Sequence, residues 1–143
     1  MKILDLNVLI YAHDTSSPRH ESCNRWLELQ LGSAETTAFA WSVVIGFVRL
    51  TTNPRVVASP LAVSAALDVV RGWFEQPGAT IANPTDRHLS ILHDLLDSVG
   101  TAGNLVSDAH LAALAIEHGA QVVTCDLDFR RFPGIEIVDP VAD

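Results

Sequence analysis

The chain has 143 residues, 48% of them apolar, with 17 acidic against 9 basic side chains and a formal net charge of −8. That length fits a single domain spanning 1–143, and the apolar share excludes a disordered chain. A mean hydropathy of +0.25 does not signal a membrane protein, because no uninterrupted apolar run approaches the ~20 residues of a span. Met1-Lys2 leads directly into a strand-like segment without a secretory leader pattern, so the expected compartment is the cytoplasm. An acidic chain also lacks the broad positive face that drives nonspecific duplex binding, which by composition alone ranks nucleic acid low among partners. Cys23 and Cys125 belong to no CxxC pair and are expected to be small buried thiols.

In chain order, residues 2–6 read as a short buried strand ending at Asp5, with Asn7 expected to cap a helix through Ala12. Ser17-Pro18 opens a helix that Gly32 stops. Thr36–Ala40 is a second strand, after which Ser42 caps a helical stretch ended by Asn53-Pro54. Pro60 opens a helix to about Phe74, Ala79–Ala82 is a strand, and Thr85–Ser98 a helix. Gly100 to Gly103 is a loop. Ser107-Asp108 begins an Ala-rich helix to His118, Gln121–Thr124 is a β-branched strand, a turn covers Phe129 to Phe132, and Ile135–Val138 closes the chain as a strand. Strands alternating with helices predict an α/β fold, a mostly parallel sheet covered on both faces.

In such a sheet ligands bind beyond the carboxyl ends of the strands. Asp5 and Asp126 fall at those ends, where either acid alone is also an ordinary cap or turn former. Asp108 is more informative, because its i+3, i+4 and i+7 positions are Leu111, Ala112 and Ala115. It therefore lies on the stripe that faces the core, where a carboxylate without a cation is costly; a helix-capping role is the structural alternative. Asp128 reaches the same region if the backbone turns after Asp126. An oxygen-only cluster of Asp5, Asp108, Asp126 and Asp128 suits Mg²⁺ or Mn²⁺, and carboxylate-held Mg²⁺ is a site for phosphate chemistry. The six histidines form no HExxH pairing and are expected at the surface or in caps. Arg130-Arg131, Arg49 and Arg55 are candidate phosphate contacts. Walker and GxSxG motifs are absent.

These blocks together resemble the PIN-domain family, specifically its VapC ribonuclease toxins. Residues 5–12 (DLNVLIYA) resemble the first acidic motif, residues 103–115 (GNLVSDAHLAALA) the third, and residues 124–132 (TCDLDFRRF) the closing block. The resemblance implies a three-layer α/β/α sandwich, a homodimer, and a Mg²⁺ (or Mn²⁺) site that cleaves RNA. Asp5 and Asp108 would be the principal metal ligands, Asp126 would complete the catalytic set, and Asp128 would support it. The implied substrates are structured RNAs such as tRNA or rRNA, and the implied partner is a VapB-type antitoxin whose C-terminal segment fills a groove leading to the site. One motif departs from the pattern: the family's Glu in the helix after the second strand is Gly46 here. That departure raises an alternative, a catalytically weakened PIN module that binds RNA or a protein partner. A haloacid-dehalogenase-type phosphohydrolase is disfavoured, since Asp5-Leu6-Asn7 lacks the second acid of Asp-x-Asp.

Overall fold

The computed structural model describes residues 1–100, 103 and 105–142. Thr101 and Ala102 of the expected loop, and Asn104 of the third motif, lie outside them. Five strands, β1 (Lys2–Leu4), β2 (Thr37–Phe39), β3 (Ala79–Ile81), β4 (Gln121–Val123) and β5 (Ile137–Val138), form one sheet in the order β3-β2-β1-β4-β5. Every pairing is parallel, with Lys2 opposite Thr37 on one side and Leu4 opposite Val123 on the other. Six helices accompany it: α1 (Leu6–His13), α2 (His20–Leu31), α3 (Trp41–Thr51), α4 (Val63–Phe74), α5 (His88–Val99) and α6 (Leu105–His118). Helices α1 to α4 form one packed set and α5 with α6 another, giving the three-layer sandwich.

The centre is apolar on both faces, as a parallel sheet between helices requires. Ile3, Leu4, Ala38, Phe39, Val122 and Val123 are fully buried. Ala109, Ala112, Ala113 and Ala115 are buried along α6, and their small side chains let that helix lie close to its neighbours. On the other side Trp73 stacks on Phe39 at 5.7 Å and meets Phe47 edge-on at 4.7 Å, which joins β2, α3 and α4.

The chain runs outward from β1 through β2 to β3, then returns to add β4 on the free side of β1. The strand order therefore reverses at β1, and the crevice of the fold opens beyond the carboxyl ends of β1 and β4. Several helix starts differ from expectation. Helix α3 begins at Trp41, because the Val43 and Val44 amides both bond to the Ala40 carbonyl at 3.0 Å and leave Ser42 inside the helix. Helix α5 begins at His88, because Thr85 gives its amide and hydroxyl to Glu117 on α6. The same acid corrects the reading of the histidines: His88 Nδ1 donates to Glu117 Oε2 at 2.6 Å, and His88 Nε2 bonds His110 Nδ1 at 2.8 Å. Sequence spacing does not reveal this cluster, since its partners belong to different helices.

Candidate active site

The polypeptide passes from β1 into α1 at Asp5, whose extended backbone (φ −79°, ψ 153°) makes it the helix cap in place of Asn7. Asp5 Oδ1 accepts the Leu6 amide at 2.7 Å; Oδ2 accepts Asn7 Nδ2 at 2.8 Å and the Thr124 hydroxyl at 2.7 Å. Asn7 instead bridges α1 to the end of β4. Its Nδ2 also reaches Thr124 Oγ1 at 3.2 Å, and its Oδ1 accepts the Cys125 amide at 3.2 Å. Thr124 Oγ1 accepts the Asp126 amide at 2.9 Å. Asn7 and Thr124 are thus site residues that sequence reasoning missed. The available signal was a short polar side chain two positions after one strand-end acid and another two before the next.

After β4 the backbone does turn, into a short 3-10 helix, Leu127–Arg131. Asp126 caps it by accepting the Asp128 amide on Oδ1 at 2.9 Å. Asp126 faces the crevice, whereas Asp128, Arg130 and Arg131 are exposed. Asp108 sits in the first turn of α6, half-buried above Leu111, Ala112 and Ala115, which are all buried. Asp5, Asp108 and Asp126 line one pocket of ≈ 320 Å³ with Asn7 beside them; Leu6, Tyr11 and Leu50 contribute to its remaining wall. Asp128 is not part of that wall. A larger cavity of ≈ 450 Å³, between His13, Asp14, Thr51 and Ser59, contains none of the strand-end acids.

Electrostatics set this pocket apart. Burial raises the Asp5 carboxyl above its ordinary value; the Thr124 and Leu6 bonds offset part of the rise, and the charge of Asp126 adds to it. Asp108 is pushed up to about 7, first by burial and then by the charges of Asp5, Asp126 and Asp128. Among the described residues none of these acids is in an ion pair. Nor do any three His, Cys, Asp or Glu side chains among them converge into a finished metal cage. The donor set still fits a hard cation that keeps most of its waters, since Mg²⁺ is commonly held by one or two carboxylates without an all-protein cage.

Gly46 is buried on α3 against α1. A Cβ at this position would lie 2.8 Å from Leu6 Cδ2, at the flexible end of that side chain. Helix α3 supplies the pocket with Leu50 and no acid.

The PIN-domain family model matches residues 2–135. The chain belongs to the PIN-domain family. This PIN domain is 47% identical over 142 residues to Ribonuclease VapC37 of Mycobacterium tuberculosis (strain ATCC 25618 / H37Rv), with 99% of both chains covered. Ribonuclease VapC33 of the same strain is 36% identical over 143 residues, covering all of both. Among solved structures, VapBC2 from Rickettsia felis bound to a DNA fragment from its promoter matches with a TM-score of 0.68, 21% identity and 96% coverage of each chain. VapC20 of Mycobacterium tuberculosis, described as a Sarcin-Ricin loop cleaving toxin, matches at 0.67 with 15% identity, covering 95% of this PIN domain and 99% of that chain. At those identities the structures establish the fold. No helix among the described residues is long and apolar enough to cross a membrane.

Proposed function

We propose that this PIN domain is a VapC-type endoribonuclease toxin that hydrolyses phosphodiester bonds of structured RNA such as tRNA or rRNA. The observation that carries the reading is a single pocket lined by Asp5, Asp108 and Asp126, where burial and then the uncompensated neighbouring charges push Asp108 up to about 7. A pocket of acids without a counter-ion disfavours its own ionisation and so favours a cation. Full-length likeness to chains named Ribonuclease VapC supports the same reading.

Asp5, Asp108 and Asp126 would hold Mg²⁺ or Mn²⁺, with Asp128 adding negative charge from outside the wall. When bound, the cation supplies orientation of a water, its easier deprotonation and stabilisation of charge on the phosphodiester. The protein's own part is positional. Thr124 and Asn7 fix the Asp5 oxygens, and the 3-10 turn leaves Asp126 one carboxylate oxygen free of its capping bond. Asp108 exchanges a proton near neutral pH until positive charge enters the pocket. A VapB-type antitoxin as partner is supported by the VapBC complexes among the structural neighbours. A homodimer and a cytoplasmic location complete the proposal.

Cleavage of tRNA and rRNA with Mg²⁺ or Mn²⁺, against EDTA, tests it. Asp5→Ala and Asp108→Ala are each expected to lower the rate by roughly a hundredfold or more; unchanged rates in both variants would remove the site assignment. A second reading, a PIN module that binds RNA or a protein without efficient cleavage, is favoured by Gly46 and the absence of an acid from α3 in the pocket wall. Robust metal-dependent turnover by the unmodified chain excludes it.

A further inference from the structure

Three carboxylates repel an RNA strand, and no basic side chain lines their pocket. One cation is nevertheless held against that wall. Tyr11, on α1, is a lining residue, and the Arg19 guanidinium lies 5.3 Å from its ring centroid with Nη1 3.4 Å from the phenol oxygen. Such a cation–aromatic contact fixes the plane of the guanidinium while leaving most of its N–H donors free.

The backbone on both sides of this pair is also tied. His20 Nδ1 bonds the Tyr11 carbonyl at 3.0 Å, which closes the turn from α1 to α2. The Arg19 amide donates to Ser17 Oγ at 3.1 Å, and its carbonyl accepts the Cys23 amide at 3.0 Å as α2 begins. Lys2, Arg25 and Arg71 are each neutralised by a carboxylate; Arg19, like Arg49, Arg55, Arg87, Arg130 and Arg131, has none within ion-pair distance among the described residues, and of these it is the one held on an aromatic ring of the pocket wall. The guanidinium therefore stands over Tyr11, a residue of the pocket wall, with no acid among the described residues to neutralise it.

We propose that Arg19 is a substrate-binding residue that grips an RNA phosphate flanking the scissile one, and that Tyr11 is the positioning residue that holds its guanidinium in place. The assignment rests on the ribonuclease reading. Arg19 lies beyond the Tyr11 wall and is not among the acids, so its phosphate is a neighbour of the one cut. A planar fork of donors matches the two non-bridging oxygens of a phosphodiester.

The test uses the full chain on bulk tRNA and rRNA with Mg²⁺, following cleavage and the anisotropy of fluorescein-labelled tRNA at several salt concentrations. Arg19→Gln is expected to raise the apparent KM about tenfold with little change in kcat. It should also flatten the slope of log affinity against log salt by about 0.7, the value for one single-strand phosphate contact. Arg19→Lys should restore the slope but only part of the KM, because the fork is lost, and Tyr11→Phe should give a smaller rise in KM. A wild-type KM and salt slope in Arg19→Gln, in protein that cleaves normally, overturns the subsite and leaves the ribonuclease reading standing. A wild-type chain that neither binds nor cleaves these RNAs overturns both.

Discussion

Helix α6 carries two acids that live under opposite rules. Near its C-terminal end the Glu117 side chain is fully buried and completely partnered, with Thr85 on one oxygen and His88 on the other. Burial acts to raise its carboxyl, yet the bonds from His88 and Thr85 outweigh that and hold it below the ordinary value. In the first turn Asp108 is driven the other way, to about 7, by burial and then by the charges of Asp5, Asp126 and Asp128. A cluster whose charges are answered from within holds helices together. One whose charges are answered by nothing in the chain waits for something from outside.

The largest effect should come from cutting the satisfied cluster. Glu117→Ala leaves His88, Thr85 and the His88–His110 pair without their shared acceptor, and unfolding in urea should show a loss of about 3 kcal/mol. Metal should not restore it. If stability is unchanged, the contrast between the two ends of α6 collapses. Next is the hydrogen-bonded side of the pocket. Asn7→Ala orphans the Cys125 amide and removes one of the three hydrogen bonds that hold Asp5, which should cost about 2 kcal/mol and slow RNA cleavage about tenfold.

The smallest effect carries the opposite sign. Asp108→Asn removes the repelled charge, so metal-free protein at pH 8 should become more stable by on the order of 1 kcal/mol while cleavage is lost. The pH dependence sharpens the same point. Folding raises Asp108 from 3.8 to about 7, so between those values the native state keeps a proton that the unfolded chain releases. Its contribution to stability is therefore present at low pH and falls as pH rises through that window. Glu117, lowered by folding from 4.5, contributes above its ordinary range and loses that contribution on acidification. Urea unfolding in EDTA at pH 5 and pH 8 should show the Asp108 decline in the wild type, its absence in Asp108→Asn, and its relief by Mg²⁺. A wild-type decline that survives Asp108→Asn would assign it to other groups.

Much of this was legible in the sequence because it is local. Each strand is a short apolar, β-branched or Ala-rich run between turn residues, and all five lie within or close to the expected segments. Asp5, Asp108 and Asp126 stood out because a carboxylate at a strand end or on an apolar helix stripe conflicts with its surroundings. What escaped depends on partners far along the chain. Asn7 looked like a cap until Thr124 and Cys125 claimed its side chain. Thr85 looked like a helix start until Glu117 took its donors. Arg19 is an unremarkable residue after a proline in sequence, and only the return of α2 along α1 places it over Tyr11.

The Thr124–Asp5 hydrogen bond joins residues 119 positions apart. Strand β1 is made first yet ends in the middle of the sheet, with one edge open until β4 arrives. During synthesis, which delivers the N-terminal segment first, a nascent chain that has not reached Val123 already contains Asp5 and Asp108 but has no pocket. Such long-range closure is also slow relative to local helix formation. The three-acid pocket is therefore a late product of translation, and termination between Asp108 and β4 yields fragments that carry Asp5 and Asp108 without it.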